Sequence, residues 1–456
     1  MNREPAAGYW AITRHWITKL LNIEPEEMPA VVAGVLMFFF LFTSYFLLRP
    51  VRETMGIAGG IENLQWLFTG TFIATLVALP LFGWCASALP RRQLLGWLFG
   101  SSAITLLAFA VSFQIAPDSA LAASSFYIWL SVFNLLSVSL AWSVLADVLR
   151  APQAKRTFAI IASGASIGGI TGPMLGALLV APLGHVGLLI VAATLLMLSI
   201  AAATWLHRWR DRNPLVGAIE DSSNRSPLKG NPFAGATLTL RSPYLLGISA
   251  FVLMLASINT FLYFEQARLV AELFPDKTRQ TQVFGIIDAV VQSLSLFIQI
   301  FVTGRTAKRL GVSALLVAVP VIMSAGFLAL ALAPTFGIFV AVMVIRRVGE
   351  YALVRPGREM LYTVVPTEEK YKAKNFIDTV VYRAGDAASG WIKRAVDLIA
   401  DNPSVAMFLG ALLAAAWGLC GLYLGRREQE LESKPRDHKP AQATATVTDT
   451  AKSGFP

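Results

Sequence analysis

The sequence predicts an all-α polytopic membrane protein with twelve transmembrane helices in two pseudo-symmetric six-helix halves, and three observations predict it. Of 456 residues, 55% are hydrophobic and 14% charged, whereas an ordinary soluble domain carries about a quarter charged residues. Apolar runs recur at the ~20-residue length that crosses a bilayer, and twelve of them would use roughly half the chain. Basic residues gather in alternate connections, as expected of loops on one side of a membrane. This balance argues against a soluble enzyme. The net charge of +10 is what basic loops would produce, so no nucleic-acid polymer is expected as partner. Cys85 and Cys420 lie inside apolar runs, and His15, His185, His207 and His438 are scattered. No disulfide framework, metal site or cofactor is expected.

Residues 1–27 contain Glu24, Glu26 and Glu27 and lack the features of a cleaved signal. Trp10, Ile12, Trp16, Ile17, Leu20 and Leu21 alternate there with Arg14, His15 and Lys19. The pattern suits a cytoplasmic amphipathic segment that lies along the headgroups or caps the bundle. Spans are expected at about 29–50, 63–84, 94–115, 123–148, 157–180 and 185–206, then at 243–265, 281–303, 313–333, 335–354, 376–398 and 403–424. The connections holding Arg91 and Arg92, Arg150, Lys155 and Arg156, Arg305, Lys308 and Arg309, and Lys370, Lys372 and Lys374 all fall on one side. The opposite connections, Ala116-Pro-Asp-Ser, Ala181-Pro-Leu-Gly and Asp401-Asn-Pro-Ser, carry no Lys or Arg. Both termini are therefore expected in the cytoplasm, with the bacterial inner membrane as the location.

The polar stretch 207–242 reads as a cytoplasmic linker between halves 28–206 and 243–425, and 426–456 as a disordered cytoplasmic tail. Gly83 and Gly304, Gly164 and Gly385, and Gly169 and Gly390 are each separated by 221 residues. Several pairs at one offset argue for related halves and a substrate path along their pseudo-symmetry axis.

After the second span stand Gly83, Ser87, Pro90, Arg91 and Arg92. With the twelve-span plan, this frame resembles the major facilitator superfamily, in which a glycine, an aspartate, a second glycine and a basic pair occupy this loop. The acidic position is absent here, so Arg91 and Arg92 read as topology charges. In span five Gly164, Gly168, Gly172 and Gly176 recur every four residues, with Pro173 beside the third. The stripe lets another helix approach backbone to backbone. Its Gly168-x3-Gly172-Pro173-x2-Gly176 portion is similar to a superfamily signature associated with exchangers, so helix packing and conformational change are both open roles.

Unpaired charges at mid-membrane cost ~3 kcal/mol or more and mark functional positions. Arg346 and Arg347 fall near the middle of span ten, with Glu350 one turn beyond Arg346. Arg383 and Asp386 have the same relation in span eleven, with Asp378 nearer its start. Asp288, Gln292, Ser295 and Gln299 form a polar stripe on span eight, whereas Leu67, Thr71, Ala74 and Ala78 hold the corresponding face of span two. The first half adds Arg49, Arg52 and Glu53 at the outer end of span one, and Asn134, Ser139, Ser143 and Asp147 in span four. Span seven contributes Asn259, Glu265 and Arg268. These groups could be interhelical bridges or gates. A cavity lined by arginines would suit an anion, because guanidinium matches phosphate and carboxylate oxygens with paired donors.

Tyr45-Phe-Leu-Leu-Arg49-Pro-Val-Arg52-Glu53, and Tyr351-Ala-Leu-Val-Arg-Pro356-Gly-Arg358-Glu359-Met360-Leu-Tyr362 leading to Lys372-Ala-Lys374-Asn-Phe-Ile377-Asp378-Thr-Val380, both resemble the nucleotide transporter family, the ATP/ADP translocases of intracellular bacteria and plastids. The resemblance implies twelve helices, exchange of a nucleotide-like anion, and phosphate contacts falling on Arg49 and Arg52. Acidic positions of the family pattern are Pro50 and Arg355 here, and two lysines are Arg52 and Arg358. No Gly-x4-Gly-Lys-Ser/Thr loop is present, so any work must come from gradients or exchange.

The expected activity is alternating-access transport of a small organic anion, with Arg49, Arg52, Arg346 and Arg383 as contacts. Asp288, Glu350 and Asp386 are the expected counter-charges or proton carriers. A proton-coupled exporter of drugs or amphiphiles is one alternative. A lipid-handling or non-transporting protein on the same fold is another, its sign being an apolar lateral opening between halves.

Overall fold

A computed structural model describes residues 24, 26–149, 151–213, 234–399 and 403–433. The expected amphipathic segment, most of the linker and most of the tail lie outside these residues. The described residues form helices and contain no strand. α1 is Met28–Ala58, α2 Leu64–Ala88, α3 Arg91–Ile115 and α4 Ala120–Val148. The run Ala151–Arg212 turns at Gly184, whose φ of 64° only glycine adopts readily, and so divides into α5 (151–183) and α6 (185–212). α7 is Pro243–Leu273. α8 (277–310) and α9 (312–332) meet at Gly311, where φ is 76°. α10 (336–361), α11 (367–399) and α12, Pro403–Glu432, complete the bundle.

Serine, threonine and aspartate start four of these helices. Ser119, Ser242, Asp276 and Thr335 each accept a hydrogen bond from the backbone N–H three residues on, which satisfies an otherwise orphaned donor. Eight continuous helical runs among the described residues are long and apolar enough to cross a membrane, two of them being the α5–α6 and α8–α9 pairs. The other two spans are α10 and α11, which carry charges in their middles. Alternation of direction places Met28 and Glu432 on one face of the bundle, called here the terminal face.

Several boundaries differ from expectation. α1 does not stop near residue 50 but continues through Pro50 to Ala58. Val51, Glu53, Thr54, Met55 and Gly56 are all buried, and their packing outweighs the proline's missing donor. Arg49 and Arg52 are consequently deep in the bundle and not at a helix end. α6 runs past 206 to Arg212, and a short helix, Ala234–Arg241, lies within the expected linker and packs on the backbone at Lys372. The last helix extends past 425 to Glu432 because Leu431 packs on the second-half core and Arg427 pairs with Glu430 at 2.7 Å.

Each half has its own apolar core. One is built from residues between Ala30 and Leu206, the other from residues between Tyr244 and Leu424. The glycine stripe positions α5 within the first half. A Cβ on Gly168 would lie 2.7 Å from the carbonyl oxygen of Phe39, one on Gly172 2.7 Å from that of Thr43, and one on Gly176 3.1 Å from that of Leu47. Gly164 meets the Val35 carbonyl in the same way. The four-residue glycine period thus follows a four-residue ladder of α1 carbonyls. Gly385, the counterpart of Gly164, packs on Leu253 and Ala256 of α7. Gly169 faces Gln292 of α8 in the other half, and its counterpart Gly390 faces Gln65 of α2. The 221-residue repeat is therefore a repeat of contacts.

Gly172→Leu should lower the thermal midpoint or abolish the folded monomer, since overpacking against backbone costs at least about 1–3 kcal/mol. Gly96→Ala, where nothing lies within 4 Å of the added carbon, should leave the midpoint unchanged or slightly raised. Fluorescence-detected size exclusion after heating checks both; equal tolerance at the two sites would contradict the packing described.

Candidate functional site

Arg49, Asp288 and Arg346 lie about 14, 17 and 15 Å from the opposite face at 1.5 Å per helical residue, near the bilayer centre. Arg347 bridges Asp288 at 2.5 Å, and Arg49 approaches the same carboxylate from the other half at 3.7 Å. Arg49 also donates to the Tyr351 hydroxyl at 3.5 Å. Arg52 pairs with the adjacent Glu53, donates to Ser131 at 3.4 Å and lies 5.0 Å over the Tyr127 ring.

Glu350 is the hub of the second half. Arg346 bridges one oxygen at 3.1 Å and Arg355 the other at 3.4 Å. Arg346 also donates to the Asn259 carbonyl, whose amide donates to Glu350 at 3.4 Å and to the Tyr382 hydroxyl at 3.1 Å. Arg383 and Asp386 pair at 3.4 Å. On a regular helix Arg355 would point about 140° away from Glu350. The wide π turn Glu350–Val354 brings it round, while the guanidinium stacks 4.5 Å over the Tyr351 ring. Two more π turns, Gln299–Thr303 and Phe376–Val381, lie in this half, in keeping with their frequency at functional sites.

These groups border two connected spaces. An inner chamber of about 160 Å³ is lined by Arg49, Arg52, Arg346, Arg355 and Arg383 together with Glu350, Asp386, Asn259 and the tyrosines 127, 263, 351 and 382. An outer chamber of about 880 Å³ shares Arg49, Arg52, Tyr351 and Arg355 with it and extends past Asn134, Ser139, Gln292, Ser295 and Gln299 to Lys374 and Asp378 near the terminal face. Five guanidinium groups against two carboxylates line the inner chamber.

The halves close over the inner chamber toward the opposite face. Thr54 and Thr281 share a hydrogen bond of 2.7 Å, and His185 reaches Thr281 at 3.0 Å. Trp66 meets Trp391 edge to face at 4.8 Å, and the Trp391 N–H donates to Thr69 at 3.1 Å. Outside the membrane Lys277 bridges Asp118 at 2.8 Å and, through that hydrogen bond, holds the carboxyl below its ordinary range. The bridge is therefore formed at neutral pH and is lost as pH falls through the lowered value. The structure is sealed on this side and open on the terminal face.

All four arginines named from the sequence border the inner chamber, with Glu350 and Asp386. Asp288 stands behind it, holding Arg49 and Arg347 together across the halves. The stripe Gly164, Gly168, Gly172 and Gly176 faces α1 and not the chamber, whereas Pro173 lies against Gly285 of α8. Arg355 and the four tyrosines were not singled out as site residues. Arg355 could not be found at a 3.6-residue period, though its five-residue spacing from Glu350 fits a π turn. Asp378 pairs with Arg358 at 3.2 Å at the chamber mouth, and Glu265 pairs with Arg268 away from it.

Two six-helix halves around a central polar chamber, sealed on one side and open on the other, define a membrane transporter fold. The sequence profile of the Major Facilitator Superfamily matches residues 30–346. The chain belongs to that superfamily. Solved structures share the fold at low identity. A bacterial homologue of the human lysosomal transporter Spinster, inward-facing and unoccupied, has 15% identity and a TM-score of 0.58, over 90% of this chain and 99% of that one. A bacterial homologue of the iron transporter ferroportin, inward-facing, has 14% identity and a TM-score of 0.61 over 90% and 99%. The nucleoside transporter NupG has 14% identity and a TM-score of 0.54 over 90% and 100%. No curated protein matches by sequence.

Removing one member of a buried pair costs about 3–5 kcal/mol when the other charge is stranded. Glu350→Gln strips both Arg346 and Arg355 and should destabilise more than Arg346→Met, which leaves Glu350 with Arg355. The Arg346→Met/Glu350→Gln double variant should show about 0.5–3 kcal/mol of coupling in a thermal-denaturation cycle. Additive losses would contradict the bridge.

Proposed function

We propose that this chain is a secondary active transporter that exchanges a small organic anion, such as a nucleotide or phosphorylated metabolite, by alternating access. The observation that carries the reading is the excess of five guanidinium groups over two carboxylates around a mid-membrane chamber. Arg49 and Arg52 come from the first half, and Arg346, Arg355 and Arg383 from the second, so an anion between them would draw the halves together. Glu350 and Asp386 are the groups an incoming anion displaces or a proton neutralises, and Asp288 keeps Arg49 oriented. The glycine ladder lets α5 and α1 turn as one body while the Gly285–Pro173 contact gives against α8. Nucleotides enter this reading through the two motif resemblances around Arg49 and Arg355.

One observation favours a second reading. An apolar groove of about 610 Å³ between α5 and α8, lined by Met174, Leu178, Ile286, Val290 and Phe297, runs along the seam of the halves and shares no lining residue with the polar chambers. A drug or amphiphile exporter would use such a lateral route.

Proteoliposomes separate the two. Exchange of labelled nucleotide insensitive to a protonophore supports anion exchange, whereas dye efflux collapsed by a protonophore supports the lateral route. Charged hydrogen bonds are worth about 1.5–3 kcal/mol, so Arg52→Ala or Arg383→Gln should each reduce anion exchange by roughly ten- to hundredfold. Undiminished exchange in both variants would remove these arginines from the site.

A further inference from the structure

The two chambers differ in size and in charge, and the difference narrows the substrate. The inner one, about 160 Å³, has less than a fifth of the outer one's 880 Å³. Small-molecule sites usually occupy about 300–1,000 Å³, so only a head group fits the inner chamber while the outer one admits a whole organic body. Every arginine bordering the outer chamber also borders the inner one, at the neck between them.

Beyond the neck, the outer chamber's charged lining is Lys374 and Asp378, and each is already engaged. Lys374 bridges Glu359 at 2.7 Å and Asp378 bridges Arg358 at 3.2 Å. Its remaining walls are uncharged. Phe42, Tyr45 and Phe46 of α1 face it with Gln292 and Gln299 of α8. These walls suit stacking and amide hydrogen bonds, and offer no spare cation to a second or third phosphate.

Charge selects the head. Five guanidinium groups face two carboxylates on the inner lining, and just behind it Glu53 pairs with Arg52 while Asp288 joins Arg49 to Arg347, so the whole cluster of six guanidinium groups and four carboxylates holds two positive charges in excess. A phosphate monoester carries about −1.5 to −2 at pH 7 and three acceptor oxygens, which compensates most of that excess. A carboxylate, with a single charge, supplies about half to two-thirds as much. Arg52 and Arg346 each retain a buried Nε–H with no hydrogen-bond partner, so the protein alone does not satisfy these guanidinium groups.

We propose that the substrate is an organic phosphate monoester bound head-first: a single phosphate among the inner arginines, and an uncharged, partly aromatic body against α1 and α8 in the outer chamber. The proposal rests on the anion-transport reading and excludes nucleoside di- and triphosphates as preferred substrates, because their additional charges would lie among uncharged walls.

Binding to the purified full-length chain, followed by thermal shift and by equilibrium competition, tests it. The probes are adenosine monophosphate, phenyl phosphate, adenosine diphosphate, adenosine triphosphate, inorganic phosphate and benzoate. Adenosine monophosphate and phenyl phosphate should raise the melting temperature and bind at least tenfold tighter than the di- and triphosphates, inorganic phosphate or benzoate. Arg355→Gln, at a half-exposed position of the neck, should fold normally and lose at least tenfold in monophosphate affinity. Tighter triphosphate than monophosphate binding would overturn the head-first proposal while leaving anion transport intact. So would benzoate or inorganic phosphate matching the monophosphates. Stabilisation by cationic amphiphiles with none by any anion would overturn the transport reading itself.

Discussion

The Asp288 carboxylate between Arg347 of its own half and Arg49 of the other is the interaction on which the polar interior depends. Charges at mid-membrane are tolerable only when paired and shielded from lipid. Asp288, Arg347, Arg346 and Glu350 are all buried. The shared carboxylate also links the halves where they must part or pivot, because Arg49 belongs to α1 and Asp288 to α8. Once these two are fixed, Tyr351 falls within reach of Arg49 and Arg355 stacks on Tyr351. The rest of the site then follows through Glu350.

The architecture around this cluster divides its tasks between halves. The first half is held by backbone contact: the glycines of α5 sit on the carbonyls of α1, leaving α1 rigid enough to present Arg49 and Arg52. The second half supplies three of the inner arginines and all three π turns among the described residues. A π turn frees carbonyls and shifts the helix face, a local cost accepted where side-chain direction matters more than regularity. Toward the opposite face the seal is built differently, from threonines, an edge-to-face tryptophan pair and two exposed bridges, Lys277 to Asp118 and Arg394 to Glu62. Such contacts are individually weak and can be exchanged for others as the bundle reopens, whereas the glycine ladder has no close-packed alternative.

Much of this was legible in the sequence, and the limits were physical. Arg346 and Glu350, four apart, and Arg383 and Asp386, three apart, lie on common helix faces, and both pairs form. The 221-residue offset carried over into equivalent contacts of Gly169 and Gly390 with the facing half. Arg355 was beyond reach because its neighbour relation exists only across a π turn, which no regular periodicity encodes. The depth of Arg49 and Arg52 is not legible in the sequence because Pro50 reads as a helix end, although burial on both sides keeps α1 going to Ala58. The four tyrosines of the inner chamber, drawn from α4, α7, α10 and α11, come together by long-range packing that one-dimensional spacing does not contain.

The central claim is that the charged groups border a hydrated chamber enclosed by protein and reached from the terminal face. Cysteine accessibility tests it most directly. With Cys85 and Cys420 replaced, single cysteines are placed at Ser139, exposed in the outer chamber, and at Val290 on the apolar α8 groove. A membrane-impermeant thiol reagent should then label Ser139→Cys when applied to the terminal face, and a bound anion should slow that labelling. Val290→Cys should stay unlabelled. Labelling of Val290→Cys with Ser139→Cys inert from both faces would contradict the account, since it would place the charges outside any aqueous path.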